Sequence, residues 1–303
     1  MRCELACLVL AACGSDPSVQ PDAAPDTGPA VSPLDGIGAV ELVDGGYMFT
    51  EGPAWRGDLL FFTDIPANTI FQYTPGGAAP TIARVPSNNA NGLAFDAGDQ
   101  MFAAEHGSRT VTRMTGGNLT TIASELDGKQ LNSPNDVVVA DDGTVYFTDP
   151  PFGIDEADRE LDFMGVFRIS GTTLTAEHRG ALTERPNGIG LSPDGTRLYV
   201  ADSADGKLYR FPITGGALGP REVHAQTAGG ADGLAIDEAG NIFVATVSGI
   251  EVFAPDGTRW GLVAVPERPS NCAFGDADHK RLYITAQTSV YRVAIAHPGL
   301  PLR

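Results

Sequence analysis

The chain has 303 residues, 38 acidic against 20 basic side chains and a formal charge of −18. That balance excludes a phosphate-gripping basic face, so no nucleic-acid partner is expected. With 42% hydrophobic residues the chain can bury a large core, and no membrane-spanning segment is needed.

Residues 1–13, MRCELACLVLAAC, hold a short apolar run ending in Leu10-Ala11-Ala12-Cys13. Small residues before a cysteine are the pattern of a bacterial lipoprotein signal, and the run is too short to span a bilayer. The expectation is an exported protein whose Cys13 is lipidated and holds it to a bacterial cell membrane. Residues 14–36 are rich in Pro, Asp and Ala and read as an extended tether. Cys3, Cys7 and Cys13 belong to the signal, so Cys272 is the single cysteine left in the folded part. It has no disulfide partner and reads as a small buried side chain.

From residue 37 onward one sentence recurs. A polar residue leads a short apolar run, a turn follows, and a second apolar run returns. In the third copy, Asn135 leads Val137–Ala140, Asp142-Gly143 turns the chain, and Val145-Tyr146-Phe147 comes back. β-branched and aromatic runs joined by Asp-Gly form a hairpin. The leading residues are Glu51, Asn91, Asn135, Asn187, Asp232 and Asn271, at spacings of 40, 44, 52, 45 and 39. Third and weaker fourth strands follow most copies. Four strands at intervals of about 40 residues make a propeller blade. The fold class is therefore all-β, a six-bladed β-propeller with four antiparallel strands per blade, over residues 37–303. The sixth copy lacks a fourth strand, so Ala39–Val43 is expected to supply it and close the ring. The longest spacing reflects Pro150–Met164, a loop placed to wall or cover one face.

First strands line a propeller's channel and start at one face, so the six leading residues converge on the axis. All carry carboxylate or carboxamide oxygens, and hard oxygen donors suit Ca²⁺, with another divalent cation as a variant. The ends of the second strands, Asp64, Glu105, Asp149, Asp202, Thr246 and Ala286, form a surrounding shell, with His106 just beyond Glu105. Nucleophile-elbow, zincin, P-loop and paired CxxC motifs are missing from the sequence.

The stretches EGPAW at Glu51, LNSPNDVVV around Asn135, RPNGIGLSPDGTRLYVAD around Asn187 and ADGLAIDEAGNIFVAT around Asp232 resemble the calcium-dependent six-bladed propellers that include gluconolactonases, regucalcin and diisopropylfluorophosphatase. The likeness runs from about Gly46 to Val293 and is strongest to bacterial gluconolactonase-like members. It implies a metal held by Glu51, Asn135, Asn187 and Asp232, with Asp232 also the acid/base or nucleophilic residue. One departure touches substrate choice. Animal regucalcins carry a sugar-contacting Arg two residues before the Asn matching Asn135, where this chain has Ser133.

The expected activity is a monomeric Ca²⁺-dependent hydrolase opening a gluconolactone-like lactone. Asp232 is the expected general base, and Asn91, His106, Asp149 and Asn271 are the expected substrate contacts. A phosphotriesterase-like hydrolase on the same metal and a non-enzymatic binding propeller are the alternatives that the fold leaves open.

Overall fold

The computed structural model describes residues 31–300. Six four-stranded antiparallel sheets follow one another around an axis. Their inner strands are Thr50–Arg56, Ala90–Phe95, Val137–Val139, Pro186–Leu191, Leu234–Ile236 and Asn271–Gly275. The second and third strands of each copy fall where the repeat places them; blade four carries an added two-residue tab, Ala217–Leu218. The turns obey local chemistry. Gly143 adopts φ +81°, which a side chain resists, and Asp142 accepts the Thr144 amide at 2.9 Å.

The sixth sheet holds Asn271–Gly275, Arg281–Ala286, Ser289–Ala294 and, on its outer edge, Glu41–Gly45 from the other end of the chain. Glu41 pairs Arg292 and Gly45 pairs Ser289. The closure is as expected, with the strand starting two residues later than Ala39. The signal and most of the tether lie outside the described residues. Its final residues, 32–36, form a turn, and Leu34 packs on the cluster between blades five and six. Among the described residues no helix is long and apolar enough to cross a membrane.

The core is divided among the blade interfaces. Six buried clusters each join two neighbouring sheets, from Trp55, Phe62 and Tyr283 between blades one and six to Tyr146, Val166 and Leu198 between three and four. Trp55 stacks on Tyr283 with centroids 5.7 Å apart. Each such side chain contributes about 1.5–3 kcal/mol by leaving water.

Near the axis, hydrogen bonds join every adjacent pair of blades. Thr63 Oγ1 donates to the Asn91 carbonyl at 3.1 Å and Thr148 Oγ1 to that of Asn187 at 2.7 Å. The amides of Gly92, Gly188 and Gly233 donate to the carbonyls of Asn135, Asp232 and Ser270. Ser270 Oγ completes the circle on the Thr50 carbonyl at 2.7 Å. This close approach explains the glycines after the leading residues. A Cβ at Gly52 would lie 1.9 Å from the Asn91 carbonyl oxygen, and one at Gly233 1.9 Å from Asn271 Cγ.

Candidate active site

The ring stitching fixes the leading residues at one mouth of the channel, and five of them are buried in consequence: Glu51, Asn91, Asn135, Asn187 and Asn271. Asp232 is more open, its side chain 14% exposed. Glu51, Asp232 and Asp136 lie close enough to repel one another. Burial first, then the Asp232 charge, pushes the Glu51 carboxyl well above its ordinary range, although Gly52 N donates to its Oε2 at 2.9 Å. Burial pushes Asp232 up to about 7, against the pull of Arg268 and of a hydrogen bond from Asn187.

Asp136 is the residue that sequence reasoning missed. It occupies the position that is glycine in four other copies (Gly52, Gly92, Gly188 and Gly233) and Cys272 in the last. A charged side chain in a glycine column was the available signal. Its Oδ1 accepts Val137 N at 2.9 Å and its Oδ2 accepts Ile189 N at 3.2 Å, so it also ties blade three to blade four. Burial raises its carboxyl to about 6. Asn271 hydrogen-bonds to both Glu51 and Asp136, while its Oδ1 accepts Cys272 N at 2.8 Å. Both ends of that carboxamide are engaged, which makes Asn271 a clamp on the two acids.

The carboxylates of the surrounding shell hold backbone amides. Asp149 is fully buried, and its two oxygens accept Asn132 N and Ser133 N, each at 2.8 Å. Asp64 holds Met48 N and Phe49 N, and Asp202 holds Arg185 N and Ala204 N. These carboxylates pin the connections that enter the mouth, because the second strand ends one layer out from the axis. Asp149, buried and bonded in this way, anchors the connection that carries Asn132 and Ser133.

His106 does reach the site. Asn91 Nδ2 lies 3.3 Å from its Nε2, and burial lowers its pKa to about 4, so the imidazole is neutral near pH 7. The loop after Asp149 forms a wall beside it. Gly153 N donates to Ser133 Oγ at 3.0 Å, Arg109 holds the Asp158 carbonyl at 3.1 Å, and Glu160 accepts Gln130 N at 2.8 Å. Between His106, Arg109, Phe152 and this loop lies a polar cleft of about 880 Å³. Below the acids the channel turns apolar, a cavity of about 210 Å³ lined by Leu93, Val137, Ile189 and Phe274 and reached by Leu300 from the far end. Cys272 sits there, buried, its Sγ 3.5 Å from the Phe243 carbonyl, and burial pushes its thiol up.

The donor set fits a hard cation. Among the described residues no three His, Cys, Asp or Glu side chains come together in a metal-holding group, so a cation here also needs asparagine carbonyls. Asn187 spends its Nδ2 on Ser203 Oγ at 2.9 Å, leaving its oxygen for a ligand. Burial is the main cause that raises Glu51 and Asp232; the Asp232 charge adds to it at Glu51 and the Asp136 charge at both, and a divalent ion would relieve that repulsion.

A ring of six blades with an acid and amide oxygen site at one mouth defines a class of axial-site propeller proteins. The chain belongs to the SMP-30/gluconolactonase/LRE-like family, whose model matches residues 49–288. It is 33% identical to a gluconolactonase of Zymomonas mobilis, over 86% of this chain and 82% of the relative. The structure of a gluconolactonase from Xanthomonas campestris superposes with a TM-score of 0.79 at 31% identity, covering 84% of this chain and 89% of that one. Regucalcin of Agrobacterium tumefaciens, described as a calcium-binding protein, shares the fold with a TM-score of 0.73 at 21% identity, covering 87% and 96%.

Proposed function

We propose that the protein is a calcium-dependent lactonase that opens sugar-type lactones with water. The observation that carries the reading is the buried meeting of Glu51 and Asp232 with asparagine carboxamides at the channel mouth. The gluconolactonase relatives support the reaction class. Glu51, Asn135, Asn187 and Asp232 are the residues that would hold the ion, and all-oxygen ligation favours Ca²⁺ over softer metals. Bound there, Ca²⁺ supplies Lewis-acid polarisation of the lactone carbonyl.

Asp232 takes a proton from the attacking water and returns it to the ring oxygen as the ester bond breaks. Asp232 is the most open of the leading residues, its side chain 14% exposed, which leaves it able to meet that water. Asn187 donates to the Asp232 carboxylate and fixes its direction. His106, neutral and paired with Asn91, offers hydroxyl-sized donors and acceptors to the polyol, and the cleft beside it has room for one. The same proposal includes a small-molecule substrate, action as a monomer, and export with anchoring through Cys13.

The test is hydrolysis of D-glucono-1,5-lactone by protein stripped with chelator and then titrated with Ca²⁺, beside a fluorophosphate. Lactone turnover that disappears with chelator and returns with Ca²⁺ is the expected result. Turnover indifferent to chelator removes the metal from the proposal. Turnover of the fluorophosphate alone replaces the substrate class.

A further inference from the structure

The connection between blades five and six carries Arg268 to the rim of the site. Its Nη2 lies 3.8 Å from Asp232 Oδ2, and its side chain is 50% exposed. That distance is an ionic contact and too long for a hydrogen bond. Other arginines at this face commit part of their donor set to the protein. Arg84 binds the Glu105 carboxylate and the Ser87 carbonyl. Arg109 binds the carbonyls of Leu131, Asn132 and Asp158, and Arg185 those of Leu182 and Glu184. Among the described residues Arg268 makes no hydrogen bond, so its planar fork is unused beside the proposed base.

The chemistry of ring opening shows what such a fork meets. Water adds its oxygen to the acyl carbon and the ring C–O bond breaks. The ring oxygen leaves as a hydroxyl carrying one water proton, and the other proton is released as the new carboxylic acid ionises. The attacking oxygen begins within hydrogen-bond reach of Asp232 and ends as one of the product's two carboxylate oxygens. The product charge therefore appears beside Asp232, above Glu51 and Asp136. Like charges at that range repel, and guanidinium is the group that binds a carboxylate through two parallel hydrogen bonds.

We propose that Arg268 is the product-carboxylate contact of this site, its guanidinium turning from Asp232 to the hydroxycarboxylate that ring opening creates. The inference rests on the lactonase reading and adds the group that recognises its anionic product. It separates two ligands of the same carbon skeleton. D-gluconate carries the carboxylate; D-glucitol does not.

The experiment measures inhibition of D-glucono-1,5-lactone hydrolysis by each compound, for wild type, Arg268→Gln and Arg268→Lys at saturating Ca²⁺. The expected result is a rise of roughly tenfold in the gluconate inhibition constant for Arg268→Gln. The glucitol constant should move less than twofold, and Arg268→Lys should fall between. Equal shifts for both compounds, or none for gluconate, overturn the proposal while the lactonase reading stands. Wild-type protein that turns over no lactone overturns both.

Discussion

Glu51 and Asp232 share a repeat position, yet their surroundings give them different work. Glu51 is the more buried, with Gly52 N on one oxygen and Asn271 beside it. Asp232 faces the mouth, within reach of Arg268 and of solvent. Asp232→Asn keeps an oxygen donor and removes the base, so turnover should fall ~10²–10⁴-fold and stay low at saturating Ca²⁺. Glu51→Gln should weaken Ca²⁺ binding more than chemistry, so added Ca²⁺ should restore much of its rate. Lactone turnover of both variants across a Ca²⁺ titration checks the pair; full rescue of Asp232→Asn would leave Asp232 a ligand only. The leading residues were legible because they recur at one place in the repeat. Asp136 was not, because it breaks the repeat: its neighbours in the column are glycines, and only the ring shows that they face one another. The anchoring of Asp149 was hidden for a related reason. Its place at a strand end is visible in the sequence, but the amides that absorb its charge come from residues 132 and 133 and require the fold.

At the level of the blade, the same physics explains what was readable. Strand alternation and Asp-Gly turns are local, so the hairpins and their count follow from the sequence alone. The short hairpin of Glu125–Leu126 with Lys129–Gln130 turns on Asp127-Gly128, both at positive φ, and is equally local. The return of Gly299 to the Asp237 bridge depends on a distant partner, and no local pattern announces it. The glycine column gives a sharp test. Gly233→Ala drives a Cβ against Asn271, the clamp on Glu51 and Asp136. Overpacking of this kind costs about 1–3 kcal/mol, and here it should also lower Ca²⁺ affinity. Thermal unfolding with and without Ca²⁺ measures both effects. Closure gives a second test. A chain beginning at Tyr47 loses the strand Glu41–Gly45 and the packing of Leu34, Ile37, Val40 and Val43. It leaves the edge Ser289–Ala294 open and should melt roughly 10 °C or more below a chain beginning at Ser32. Equal melting temperatures would contradict the role assigned to the closing strand.

For the whole molecule the governing fact is negative charge, −18 in total, with three carboxyls gathered at the axis. A carboxyl whose pKa is higher folded than unfolded binds its proton more tightly in the folded state. Its stabilising contribution is therefore fullest below the unfolded value and is lost as pH rises through the folded one. Asp232 and Asp149 are raised to about 7 and Asp136 to about 6, with Glu51 in the same direction. Between about pH 4 and 7 all four act together, since an unperturbed aspartate titrates near 3.9. His106 works against them. Lowered to about 4 by burial, it adds stability as pH rises from 4 to about 6.5 and nothing further above that. The carboxyls outnumber it, so Ca²⁺-free protein should melt lower at pH 8 than at pH 5. Ca²⁺ should change the pattern, because it binds the deprotonated carboxylates and competes with their protons. At a hundredfold excess over its dissociation constant it adds about 2.7 kcal/mol to the folded state. The rise in melting temperature on adding Ca²⁺ should therefore be larger at pH 8 than at pH 5. Scanning calorimetry at both pH values, with chelator and with Ca²⁺, reads all four states, and a Ca²⁺ shift that is equal or larger at pH 5 would show that the ion is not held by these carboxylates.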